Sequence, residues 1–144
     1  MRRLFDGEAW LGPSITVLLD GVSARAAAAR PIAGSHSIWE LVGHITTWLM
    51  VARRRVVGEA FDPTRAEDWP SERDASDTAW RAALVRLRAA HDALVGAVSA
   101  MDDDRLSATV PGRDHSYYIL LHGVAQHTAY HAGQIAILKR GTGM

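Results

Sequence analysis

Apolar residues recur along the chain at steps of three and four, and period-two alternation is scarce, so the pattern predicts an all-α protein. Four long segments carry the helical period. The first covers 7–19, with Pro13 either kinking it or standing in an early turn. A short helical turn over 23–29 follows and ends at Arg30-Pro31. The second long segment covers 37–57, before Gly58. It opens with Ser37-Ile38-Trp39-Glu40, an S-x-x-E capping box whose serine and glutamate each satisfy the other's backbone amide. The third, 77–101, has an inner stripe of Trp80, Leu84, Leu87, His91, Leu94, Val98 and Met101, a bundle-forming face. The fourth, 116–139, ends at Gly141.

The connections shape the topology. The stretch 60–76 carries Pro63, Pro70 and several charges; it is too polar for a core and too long for a tight hairpin. It is therefore expected to be a long crossover that lets the third helix run parallel to the second, with the fourth returning antiparallel. Asp102-Asp103-Asp104 would sit unfavourably at a helix C-terminus and is assigned to a loop, and Pro111-Gly112 marks a turn. The expectation is one domain, 1–144, folded as a four-helix bundle.

Composition narrows the function classes. Of 144 residues 48% are hydrophobic, enough for a sizeable core. Sixteen basic residues balance sixteen acidic ones, which argues against a nucleic-acid binder that relies on a basic field. There is no cysteine, so disulfides, thiolate nucleophiles and cysteine-based zinc sites are excluded. No targeting segment and no run of about 18 apolar residues is visible, so a cytoplasmic protein that neither spans a membrane nor binds nucleic acid is expected.

The fourth segment holds the anomaly. Its inner stripe reads Leu120, Val124, His127, His131, Gln134, Leu138: aliphatic at the ends and polar in the middle. Burying a neutral imidazole without partners costs about 1–3 kcal/mol, so two on one core stripe require compensation. Residues at i and i+4 lie about 40° apart around a helix and about 6 Å apart along it, so both rings can converge on one metal ion. The plainer alternative is a pair of histidines hydrogen-bonded to neighbouring helices.

His44 is the strongest third ligand. It stands about 10 Å up the second helix from Ser37, and His131 stands about 12 Å from Lys139. Antiparallel second and fourth helices would bring the two to one height. His122 falls about 140° from His127 and cannot share the ion from a regular helix. His36 and His115 precede helices and read as surface or cap residues. His91 is either a ligand or wall of the site or a satisfied polar group in the core.

The stretch Ser37-Ile38-Trp39-Glu40-Leu41-Val42-Gly43-His44-Ile45, followed by Trp48, resembles the first motif of the DinB/YfiT-like metalloenzymes. The run from His122 through His127-Thr128-Ala129-Tyr130-His131 to Ile135 resembles their last motif, and Trp10-Leu11-Gly12-Pro13-Ser14 also fits. The resemblance implies a four-helix bundle with a divalent metal, nickel or zinc, on His44, His127 and His131. It also implies a homodimer and, in some members, dependence on a low-molecular-weight thiol. Without cysteine in the chain, such a thiol would come from a cofactor or substrate.

Three protein ligands leave a position open for water or substrate. The leading expectation is a metal-dependent transferase or hydrolase acting on a small molecule; the alternative is a non-catalytic, metal-stabilised homodimeric binding or stress-response module. Glu40, one turn before His44, is a candidate base or orienting group as well as a cap. Trp48 is the expected pocket wall, and Tyr130 and Gln134 either hydrogen-bond a substrate or a ligand imidazole or simply pack.

Overall fold

The computed structural model describes residues 1–10, 12–71 and 74–143. Among these the helices are α1 (Arg2–Asp6), α2 (Ile15–Leu19), α3 (Ala24–Ala28), α4 (Ile38–Val56), α5 (Arg65–Asp68), α6 (Asp77–Ser99) and α7 (Tyr117–Gly141), with a 3-10 turn at Asp103–Ser107. The protein is all-α, and α4, α6 and α7 form its dominant core.

Helix α4 starts where its capping box dictates. Ser37 Oγ accepts from the Glu40 amide at 3.2 Å, and Glu40 Oε2 accepts from the Ser37 amide at 2.9 Å. From there α4 packs against both α6 and α7, which explains why it is apolar on more than one face. Ile38, Leu41, Val42, Ile45 and Leu49 are all buried, each worth about 1.5–3 kcal/mol of apolar transfer. Trp39 and Trp80, near the starts of α4 and α6, meet with ring centres 5.0 Å apart. At the other end of α4, Arg105 donates to the Val56 carbonyl at 2.9 Å and to the Tyr117 hydroxyl, at the start of α7, at 3.0 Å.

The long helix expected over 7–19 is not formed. Only the short α2 stands in that range, α1 having ended at Asp6, and Trp10 between the two is fully exposed. Gly12 sits at φ 134°, a conformation that side-chain-bearing residues avoid. Pro13 disfavours helical geometry in the residue before it, and the chain re-enters a helix only after Ser14. Leu11 of the N-terminal motif lies outside the described residues. The segment is fastened from the far end of the chain: Lys139 Nζ donates to the carbonyls of Leu18 (3.0 Å) and Asp20 (2.6 Å).

The 60–76 connection also departs from expectation, because it is neither structureless nor wholly outside the core. It contains α5, started by a second capping box between Thr64 and Glu67, and its Trp69 packs against core residues. Thr47 Oγ1 donates to the Glu67 carbonyl at 2.7 Å and pins α5 to α4. Gly43 makes the approach possible, since a Cβ on it would lie 2.9 Å from Pro70 Cγ. No helix among the described residues is long and apolar enough to cross a membrane.

Candidate metal centre

Three imidazoles meet between α4, α7 and the 68–70 segment. His44 and His131 are buried and His127 is half-buried. The Nε2 atoms of His44 and His127 are 2.9 Å apart, and those of His127 and His131 are 3.0 Å apart. All three ligand atoms lie within 4.8 Å of one another, and among the described residues this is the one cluster of histidine, cysteine or carboxylate groups that could hold a metal ion.

The remaining ring nitrogens settle which way the lone pairs face. His44 Nδ1 contacts the Asp68 carbonyl at 2.8 Å and Asp68 Oδ1 at 3.1 Å, both acceptors, so Nδ1 carries the proton and Nε2 is bare. Asp68 Oδ1 is held in turn by Trp48 Nε1 at 2.7 Å. His131 Nδ1 donates to Gln134 Oε1 at 2.6 Å, while the Gln134 amide nitrogen reaches the Tyr130 hydroxyl at 3.3 Å. His131 Nε2 is therefore bare as well. His127 Nε2 contacts both, but one ring nitrogen offers either one N–H or one lone pair, so it cannot satisfy two acceptors at once. His127 Nδ1 is buried and has no partner.

The aromatic setting is equally ordered. Trp69 stacks on His44 with ring centres 3.9 Å apart and planes 8° from parallel, and His36 stacks on its other face at 3.6 Å and 10°. His44 thus lies beneath two stacked rings, Trp69 from the connection and His36 from the segment ahead of α4.

A family model for the DinB superfamily matches residues 14–135. The chain belongs to the DinB superfamily. No curated protein and no solved structure matches it.

Whether this DinB chain's residues fit a metal is answered by that mismatch of lone pairs. His127 Nε2 can donate to one of the two bare nitrogens at most and leaves the other facing it unmatched, a shortfall that a divalent cation about 2.0–2.1 Å from each nitrogen would satisfy with the rings easing slightly apart. Electrostatics keep the lone pairs free. Burial, then the neighbouring His131 and His44, push the His127 pKa down to about 4, against a smaller opposing pull from Asp68. Burial also lowers His131, opposed by its hydrogen bond to Gln134 and reinforced by His44 and His36. Asp68 and Gln134, on Nδ1 atoms behind the ligands, are the kind of outer partners that fix tautomer and ring orientation in metal sites.

A cavity of about 420 Å³ adjoins the triad. His44, Asp68 and His127 line it at the triad, Trp48 forms one wall, and Ile119, Leu120, Gly123 and Val124 of α7 form another. His115 also lines it, although its position in the sequence reads as a cap.

The other singled-out residues sit as follows. Glu40 accepts from Arg30 at 2.5 Å and from the Ser37 amide, and His36 Nδ1 is 3.4 Å away. Burial would raise its pKa, but the Ser37 amide, Arg30 and His36 together hold it below the usual value. Trp48 lies on the cavity, Gln134 is bound to His131, and Tyr130 is largely exposed with its ring edge toward His131. His122 is on the outer face against Tyr118. His91 stands away from the triad, stacked on Phe5. Sequence reasoning missed Asp68, Trp69, His36 and His115 as parts of the site. A tryptophan inside a charged connection was the one available signal.

Proposed function

We propose that the protein is a metal-dependent enzyme acting on a small molecule, with His44, His127 and His131 holding one divalent ion, nickel or zinc. The observation that carries this reading is the double contact on His127 Nε2, which hydrogen bonding alone cannot satisfy. When bound, such an ion supplies Lewis-acid chemistry of the kind that activates water or a thiol near neutral pH. Asp68 orients His44 and Gln134 orients His131, so the two rings present Nε2 toward His127. Trp69 covers His44 and keeps bulk water from that face. Glu40 we assign to capping α4 and anchoring Arg30, since its oxygens are occupied there.

The alternative, a non-catalytic metal-stabilised module, calls for a closed site with a fourth protein ligand. The ligand cluster holds three side chains among the described residues, and two of them line a cavity, which favours catalysis. The contacts of Trp39 with Trp80 and of Arg105 with Val56 and Tyr117 support a bundle in which α4 and α6 run parallel, α7 runs antiparallel, and 60–76 is the crossover.

Elemental mass spectrometry on purified protein tests the reading. One divalent ion per chain is expected in the wild type and almost none in His44→Ala. Full occupancy in that variant, or a metal-free wild type that takes up no nickel or zinc on titration, would overturn it.

A further inference from the structure

The cavity beside the triad is polar at two ends and apolar between them. On α7 its lining residues occupy three successive turns: Ile119 with Leu120, Gly123 with Val124, then His127. From Ile119 to His127 is about 12 Å along the helix axis. His127, His44 and Asp68 mark one end. His115 lies beyond the other, ahead of the first turn of α7, with Nδ1 3.4 Å from Asp114 Oδ1. The one side-chain polar atom among the described residues of the walls between, the Trp48 indole nitrogen, is already bound to Asp68. No lysine or arginine is among the described lining residues, so nothing there recognises a bulky anion.

Gly123 sharpens the picture. It stands inside α7, where glycine is a poor helix former, and a Cβ on it would meet nothing within 4 Å. Packing therefore does not require it, and it lies on the lining of the cavity, where an added side chain meets open space. A volume of about 420 Å³ is in the range of small-molecule sites.

We propose that this slot binds an elongated, predominantly apolar small molecule that places its reacting group at the triad and a second hydrogen-bonding group at His115. Gly123 keeps the middle of the slot open and sets the girth it accepts. The proposal rests on the reading of the triad as the reacting end, and it names the substrate class that end would serve.

The probes are linear 1-alkanols from butanol to octanol, together with 1,8-octanediol, titrated into the protein by NMR while the Trp48 indole and Gly123 amide signals are followed. Saturable binding should tighten about fourfold per methylene, the equivalent of about 0.8 kcal/mol. Gly123→Leu should lose octanol binding at least tenfold while keeping its zinc stoichiometry and melting temperature. Gly123→Ala should lose less, and first for the longest alcohols. His115→Leu should lower the preference for the diol over octanol several-fold without weakening octanol itself. Absence of saturable alkanol binding in a wild type that takes up zinc would sink the slot and leave the metal reading standing. Alkanol binding without any zinc uptake would do the reverse. Undiminished octanol binding in Gly123→Leu, or an unchanged diol preference in His115→Leu, would overturn the assignment of that residue; if the leucine at 123 prevents folding, the alanine variant and the length series decide.

Discussion

Two buried histidine environments in this molecule are built from the same parts. His44 stacks on Trp69 at 3.9 Å and gives its Nδ1 to Asp68; His91 stacks on Phe5, also at 3.9 Å, and has Nδ1 3.1 Å from Asp92. Each region leaves one ring nitrogen buried without a partner, Nδ1 of His127 in the first and Nε2 of His91 in the second. The difference lies in what faces Nε2. His44 turns it toward two more imidazoles, and the Nε2 of His91, 3% exposed, meets no hydrogen-bond partner among the described residues. A ring stack and a carboxylate therefore make a core histidine tolerable; it is the convergence of separate chain segments that gathers three imidazoles able to hold a metal ion.

Four experiments press on that contrast. The largest effect is expected from Asp68→Ala, which removes the carboxylate beside His44 Nδ1 but keeps the main-chain carbonyl there, and should weaken metal affinity about tenfold in a competition titration. An unchanged affinity would mean the carboxylate is incidental, as Asp92 is beside His91. Gly43→Ala comes next. Its Cβ would collide with Pro70 Cγ, so the segment carrying Asp68 and Trp69 must shift; a loss of about 1–3 kcal/mol in urea stability is expected, with weaker metal binding alongside.

The pH dependence of the metal-free protein is a smaller effect with a defined sign. Folding depresses the His127 pKa from 6.5 to about 4, so the unfolded chain takes up the proton first as the medium is acidified. The stability contribution is complete above pH 6.5 and is lost as pH falls toward 4. His131 acts in the same direction. Urea midpoints measured between pH 7 and 4.5 should decline in the wild type and decline less steeply in His127→Ala; parallel curves would show that the triad is not the source. Glu40, with its own lowered pKa, adds a loss on acidification only below about 4.5, outside that window.

The smallest effect is expected from His91→Leu. Removing a buried, half-satisfied imidazole offsets the loss of its stack on Phe5, so stability should stay within about 1 kcal/mol and metal content should not change. Loss of metal in this variant would erase the distinction between the two regions.

What was readable in the sequence follows the same division. Periodicity and the Ser37–Glu40 box located α4, α6 and α7, because long amphipathic helices repeat their signal many times. The stripe carrying His127 and His131 was legible for the same reason. The N-terminal helix failed at Gly12-Pro13, where two residues of backbone geometry outweigh a dozen of pattern. Asp68 and Trp69 were invisible as site residues because a one-turn helix in a connection has no period to read, and its placement depends on a contact between Gly43 and Pro70 distant in the chain. His91 and His131 occupy equivalent-looking stripe positions, and only the fold separates them.

Lys139 is the chain's sole lysine, and its ammonium is already engaged with two main-chain oxygens of the first twenty residues. Amine chemistry at this one position is accordingly a reporter of whether α2 stays joined to the final helix. Acylation of Lys139 should be slowed for as long as the clasp holds, and rapid modification there signals that the 18–20 segment has come away from α7.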